Sequence, residues 1–240
     1  MKLSIIFCFI TFSLLGQTNF ILIGPPGAGK GTFSTFMKNK YGYYHIGLGD
    51  IMRQQVKDNT PLGQEVKLLA AKGQVVDNSV IFNIIDEQVS YCVENNIPFI
   101  IDGFPRSTTF SSTSGLVQFE FLLRLLKEKQ IDGSVVFVHF KADDETCIRR
   151  VCQRLVCVNC YASFNMVTRR SAQEKVCDEC NAVLEVRLGD DASNVVKRLG
   201  NYSRYIEPLL DLVKDEYTVM VIDAEKPLTD CLDMYSSLPV

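Results

Sequence analysis

The 240-residue sequence has no surplus of positive charge: 25 Lys and Arg against 28 Asp and Glu leave a formal net charge of −3. That balance excludes a broad electrostatic grip on nucleic acid, which needs Lys and Arg gathered on one face. Any anionic ligand must meet its cations locally. Proline and glycine are modest, at 8 and 15 residues, and there is no internal repeat or low-complexity tract, so the disordered and collagen-like classes are excluded. Long apolar runs are also missing. The stretch from Leu3 to Leu15, behind Met1 and Lys2 and ending at Gly16, is too short to span a bilayer as an ordinary helix. It has the length and leading cation of a secretory signal but no A-x-A-like cleavage site, and a buried N-terminal strand could be equally apolar. The remainder is ordinary globular material, 47% hydrophobic and 22% charged, in a chain long enough to fold on its own core without a metal or disulfide.

Nine cysteines are present, and four of them stand as Cys157-Val158-Asn159-Cys160 and Cys177-Asp178-Glu179-Cys180. The spacing C-x2-C-x16-C-x2-C is that of a closed four-thiolate zinc site, with Cys157, Cys160, Cys177 and Cys180 as ligands. Such an ion can organise a lobe too small to have its own core. Two disulfides, or two unrelated thiol pairs, remain the alternatives if the leader exports the chain. Cys8, Cys92, Cys147, Cys152 and Cys231 are scattered.

Along the rest of the chain, apolar runs alternate with helical patterns. Asn19 to Ile23 reads as a buried strand closed by Gly24-Pro25-Pro26, and Phe33, Phe36 and Met37 recur at i, i+3 and i+4 on a following helix. Further strands are expected at Phe99 to Ile101, Val135 to Phe140 and Val219 to Ile222. Strands of this near-continuous apolarity indicate a parallel α/β sheet covered on both faces. Between Cys157 and Arg187 the chain turns polar without a helical period, as a small inserted lobe does.

Gly24-Pro25-Pro26-Gly27-Ala28-Gly29-Lys30-Gly31-Thr32 follows the first strand and opens a helix, the context of a phosphate-binding loop. Backbone amides and the positive helix end cradle polyphosphate there, and Lys30 reaches the terminal phosphates. Gly31 stands where Ser or Thr normally follows the Lys, and the hydroxyl comes one place later, at Thr32. Two more segments complete a pattern: Tyr44-His45-Ile46-Gly47-Leu48-Gly49-Asp50-Ile51-Met52-Arg53 and Ile101-Asp102-Gly103-Phe104-Pro105-Arg106. In these three motifs, and in their order, the chain resembles the adenylate kinases among the nucleoside monophosphate kinases. The family's loops read G-x-P-G-x-G-K-G-T, and its later segments read H-I-S-T-G-D-x-x-R and D-G-F-P-R. The cysteine lobe is similar to the zinc-bearing lid of many bacterial members.

The resemblance implies a parallel five-stranded P-loop kinase core within a domain over 17–240, after a leader over 1–16. It implies an acceptor-binding insert over 47–76 and a zinc lid over 153–190. The implied reaction is ATP + AMP ⇌ 2 ADP with Mg2+ carried by ATP. A kinase of another nucleoside monophosphate, or a nucleotide-binding regulatory protein of the same fold, are the alternatives. On the ATP side it implies Gly27, Ala28, Gly29, Lys30, Gly31, Thr32, Arg150, Arg154, Ser163, Phe164 and Lys226. On the acceptor side it implies Leu48, Arg53, Gln74, Val75, Val76, Gly103, Phe104, Pro105, Arg106 and Gln118. Arg187 and Arg198, eleven residues apart as in the family, clamp the transferring phosphates. Lys30, Asp102, Arg106, Arg154, Arg187 and Arg198 are then the catalytic set, with Asp102 holding hydrated Mg2+ or, alternatively, capping Arg106. Planar guanidinium forks suit phosphate oxygens in a way Lys does not reproduce.

Asp50 has the place of a helix N-cap before Ile51. His45, ahead of a loop, and His139, in a strand, are expected to be structural, since this chemistry needs no strong base. The chain departs from the family at Gly47-Leu48, where a Ser and a base-contacting Thr are missing. Phe110 occupies the offset of the base-reading Gln. An insertion over Ser107 to Val117 moves that role to Gln118, in Gln118-Phe119-Glu120. A cytoplasmic monomer, without nucleic-acid or stable membrane partners, is expected.

Overall fold

A computed structural model describes residues 18–71, 76–106, 117–187 and 189–236. The leader, Gln74, Val75, Phe110 and the insertion up to residue 116 lie outside the described residues.

The first strand, β1 (Asn19–Ile23), is buried along its whole length. Its side chains alternate between two cores, as strand geometry requires. Ile21 and Ile23 join one cluster, while Phe20 and Leu22 join the other. That double burial is why the run is continuously apolar rather than alternating. The helix α1 (Lys30–Tyr41) places Phe33 and Met37 in the second cluster, and β2 (Tyr44–Gly47) follows at once. Here the structure departs from the sequence reading. His45 does not precede a loop but pairs with Ile100 inside β2. Helix α2 (Leu48–Lys57) starts directly after Gly47, which is its N-cap residue. Asp50 is therefore in the first turn rather than at the cap, and its carboxylate accepts from Arg53 one turn on. Helix α3 (Pro61–Ala71) packs across α2 at Gly63, where a Cβ would lie 1.9 Å from the Gln55 carbonyl oxygen.

Helix α4 (Asn78–Glu94) is capped by Asp77, whose side chain accepts from the Ser79 amide, and buries Ile81, Ile85, Val89 and Cys92. Next come β3 (Phe99–Asp102), α5 (Val117–Glu128), β4 (Val135–Lys141) and α6 (Asp144–Cys152). The lid strands β5 (Arg154–Cys157), β6 (Ser163–Asn165) and β7 (Leu184–Val186) precede α7 (Ala192–Val213), β8 (Thr218–Asp223) and α8 (Leu228–Ser236). The expected five-stranded parallel sheet is present, in the order β2-β3-β1-β4-β8. β5 pairs antiparallel with β6 and β7 to form a second, three-stranded sheet, whose core holds Phe164 and Leu184 beside Cys157 and Cys177. The parallel register sets Leu22 and Gly47 level with Asp102, so the loops after β1, β2 and β3 emerge at one edge, where open α/β sheets take their ligands.

Candidate active site

A cavity of about 1020 Å³ opens at that edge, larger than one small ligand needs. Ten Lys and Arg residues line it against four acidic ones, although the whole chain is slightly acidic. At its floor, Gly27 adopts φ 89°, and a Cβ there would fall 2.7 Å from the Cys147 carbonyl oxygen, so only glycine lets the loop lie against α6. Lys30 folds back and donates from Nζ to the Gly24 and Pro25 carbonyl oxygens, at 2.7 and 2.8 Å. Burial pushes its pKa down to about 8, an effect opposed by the Asp102 carboxylate. An anion in the loop would favour the charged ammonium and draw it away from these carbonyls.

Arg154 and Arg198 are organised by one carboxylate. Arg154 donates twice to Asp190, from Nε and Nη2, both at 2.7 Å, and Arg198 Nη1 donates to Asp190 Oδ1 at 3.3 Å. The Asp190 side chain is 1% exposed. Arg187, beside them, has its pKa pressed down to about 9 by burial and then by the Arg53 and Arg154 guanidiniums. Burial, then Arg154 and Arg106, lowers that of Arg198 as well. Guanidiniums stay charged in this range, so the crowding is a cost that a polyanion would relieve.

Three buried polar atoms at this cavity lack a hydrogen-bond partner: His45 Nε2, Arg53 Nε and Asp102 Oδ1. Asp102 Oδ2 is 3.9 Å from His45 Nε2. An unpartnered carboxylate oxygen at the end of β3, opposite the phosphate loop, fits the water shell of a magnesium ion carried on a nucleotide polyphosphate.

Most of the residues named from sequence line this cavity: Gly27 to Thr32, Arg53, Asp102, Gly103, Pro105, Arg106, Arg150, Arg154, Ser163, Phe164, Arg187, Arg198 and Lys226. Four do not. Leu48 and Val76 pack on the hydrophobic core instead. The Phe104 ring is 1% exposed, edge-on to Phe82 and Phe121. Gln118 is buried, its Oε1 accepting from the Arg106 amide at 2.7 Å and its Nε2 donating to Asn78 Oδ1 at 2.8 Å. All four were expected on the acceptor side. Gln74 and Val75 lie outside the described residues.

In the lid, the Sγ atoms of Cys157, Cys160, Cys177 and Cys180 lie within 4.8 Å of one another. Cys157 and Cys180 are 3.4 Å apart, and Cys160 and Cys177 3.6 Å. A tetrahedron with metal–sulfur bonds of about 2.3 Å has sulfurs roughly 3.8 Å apart, so the cluster fits one zinc ion. All four are free thiols, which disfavours the disulfide alternative. Four thiolates leave no open coordination position, and such a site is structural.

The model of the adenylate kinase family matches residues 22–218. The chain belongs to the adenylate kinase family. It is similar to the adenylate kinase of Thermoanaerobacter sp. (strain X514), 35% identical over 215 residues, covering 89% of this chain and 94% of that one. It is 36% identical to that of Ruminiclostridium cellulolyticum over 193 residues, with 80% and 85% covered. To that of Borrelia duttonii (strain Ly) it is 29% identical over 210 residues, with 88% and 92% covered. The likeness thus spans most of each protein.

Within this adenylate kinase fold, several residues at or behind the cavity escaped the sequence reading. Asp190, buried behind the cavity arginines, is the chief one; the signal was a pair of acids, Asp190-Asp191, set between Arg187 and Arg198. Asp191 caps α7 by accepting from the Asn194 amide at 3.0 Å, which leaves Asp190 free for the arginines. His45, expected to be structural, lines the cavity beside Asp102. His139 does act structurally: its Nε2 meets the Tyr202 hydroxyl at 3.0 Å, and burial, helped by Lys141, holds its pKa near 4, so the ring is neutral. Tyr202 lines the cavity, four residues after Arg198 and so on the same helical face.

Proposed function

We propose that this chain catalyses ATP + AMP ⇌ 2 ADP. The observation that carries this reading is the set of unpartnered buried atoms, Arg53 Nε and Asp102 Oδ1 above all, in a cavity crowded with guanidiniums. That demand is met by two phosphorylated ligands and a hydrated cation.

In this reading, Gly27 to Thr32 wrap the ATP phosphates, with Lys30 exchanging its loop carbonyls for phosphate oxygens. Arg150, Arg154, Ser163, Phe164 and Lys226 complete the ATP side. Arg53 and Arg106 hold the acceptor's phosphate, with Gly103 to Pro105 as the turn that brings Arg106 round. Arg187 and Arg198 neutralise the phosphoryl group in flight, Arg198 kept in place by Asp190. Phosphoryl transfer gives the protein little covalent work, so positioning and charge stabilisation carry the rate. Magnesium bound with ATP supplies further charge neutralisation, and Asp102 orients its water shell. Closing the insert over 47–76 and the lid over 153–190 excludes water, the competing acceptor. The kinase domain spans 17–240, acts as a monomer and works in the cytoplasm, where ATP and free thiols coexist. Among the described residues, no helix is long and apolar enough to cross a membrane.

A second reading, transfer to another nucleoside monophosphate, is favoured by Leu48, which offers no hydroxyl to a base, and by the double engagement of Gln118. A coupled assay with ATP and each of AMP, GMP, CMP and UMP decides between them. AMP is expected to give the highest kcat/KM; a different best acceptor selects the second reading, and no turnover with any of them rejects both.

A further inference from the structure

The two cysteine loops of the lid share one design. In Cys157-Val158-Asn159-Cys160-Tyr161-Ala162 and Cys177-Asp178-Glu179-Cys180-Asn181-Ala182, the amide after the second cysteine donates to the first cysteine's carbonyl. The distances are 3.2 Å for Tyr161 to Cys157 and 2.8 Å for Asn181 to Cys177. In both, the first cysteine's amide reaches the alanine carbonyl, at 2.9 and 2.8 Å. Each loop closes through a left-handed residue, φ 60° at Tyr161 and at Asn181. Asparagine visits that region readily, whereas a bulky aromatic residue does so at a conformational cost. Asn181 is exposed, while Tyr161 is half-buried. The first loop therefore carries a residue its own backbone disfavours, and the compensation must come from the ring.

The ring meets the other lobe. The Arg53 guanidinium carbon on α2 is 5.9 Å from the Tyr161 ring centroid, within cation–π range. One turn further along the same face, Lys57 Nζ donates to the Val158 carbonyl at 3.2 Å and to Asn159 Oδ1 at 3.5 Å. We propose that Tyr161 is a positioning residue for the acceptor. With Lys57 it seats the first cysteine loop on α2, and its ring orients the Arg53 guanidinium toward the acceptor's phosphate. An aromatic face suits this task because it attracts the cation without occupying an N–H donor. Asp50 takes one Arg53 nitrogen, and Nε remains unpartnered and buried at the cavity. A lid that also touches ATP thus adjusts the cation that receives AMP, so closure of one lobe prepares the other. The inference rests on Arg53 as the acceptor's phosphate ligand.

The test compares the full-length protein with Tyr161→Gly, Tyr161→Phe and Lys57→Met, by steady-state kinetics, zinc content, melting temperature and hydrogen exchange without nucleotide. Tyr161→Gly relieves the backbone, so it should keep about one zinc and melt no lower than the parent. Its KM for AMP should rise about fivefold, with kcat and the KM for ATP within about twofold of the parent, and Tyr161→Phe should restore parental values. Amides of α2 should exchange faster in both Tyr161→Gly and Lys57→Met. Unchanged AMP KM and unchanged α2 exchange in Tyr161→Gly overturn the proposal, as does loss of zinc or an equal rise in both KM values, which would make the ring merely structural. If the parent itself fails to phosphorylate AMP, the functional reading falls, and the exchange comparison still judges the contact between α2 and the cysteine loop.

Discussion

At the phosphate end of the cavity, Lys30 opens α1, Asp102 ends β3 and Arg198 lies within α7, while Arg154 opens β5 directly after α6. Of the residues proposed for the acceptor's base, Leu48 opens α2, Val76 precedes α4, and Gln118 stands in the first turn of α5. The first group is crowded, charged and held by specific partners such as Asp190. The second is apolar or already hydrogen-bonded to its neighbours. The contrast teaches that the residues proposed for transfer form one interlocked charged cluster at the sheet edge and the root of the lid, where displacement of one group disturbs the others. In the proposed function, base choice falls to Leu48, Val76 and Gln118, which pack among their neighbours and take no part in that charged cluster.

The largest effect expected is at the phosphate end. Lys30→Ala should lower kcat by roughly 10²–10³ with the melting temperature little changed, as steady-state kinetics and calorimetry would record. The same lysine gives a pH signature. With its free-enzyme pKa near 8, kcat/KM for ATP should fall as the pH rises above about 8, because the neutral amine no longer attracts phosphate. kcat should hold to higher pH, because bound phosphates raise that pKa. Parallel loss of both parameters would assign the titration elsewhere.

Next comes Asp190→Asn, which removes the charge shared by Arg154 and Arg198. Turnover should drop about 10–100-fold, and breaking a buried pair of this kind should cost about 3 kcal/mol in denaturant unfolding. Wild-type rates in a fully stable variant would show that the arginines need no such anchor.

The lid supplies a smaller effect. Metal analysis should find about one zinc per chain, and Cys160→Ser should lower the lid's melting temperature while leaving the parallel core folded. Metal-free protein with disulfides between the cysteines would contradict the tetrahedral reading.

The smallest effects belong to the base end and would sharpen the contrast most. Leu48→Thr should raise preference for AMP over CMP and UMP by a few fold, on the order of one hydrogen bond. Gln118→Glu keeps an acceptor for the Arg106 amide but loses the amide donor, so it should raise the KM for AMP and flatten preference among bases. If both leave acceptor specificity untouched, the base is read elsewhere.

How much was legible beforehand follows the same division. The parallel sheet was readable because strands buried on both faces leave unbroken apolar runs, and β1 spans the residues expected of it. The phosphate loop was readable because its glycines and Lys30 sit at fixed spacing between strand and helix. β2 was not, since only Ile46 and Gly47 of its four residues are buried and an edge strand that short carries little pattern. Asp190 escaped because its importance lies in a contact 36 residues back in the chain, with Arg154, which no local spacing encodes. Tyr161 escaped for a related reason: its meaning depends on a backbone angle and on a helix more than a hundred residues earlier.

The most direct test of the central claim starts from ADP alone. Purified protein, Mg2+ and ADP, followed by phosphorus NMR, should give ATP and AMP in equal amounts, and Lys30→Ala under the same conditions should leave ADP essentially unconverted. Persistent ADP with the unaltered protein, or equally fast conversion by Lys30→Ala, would contradict the account.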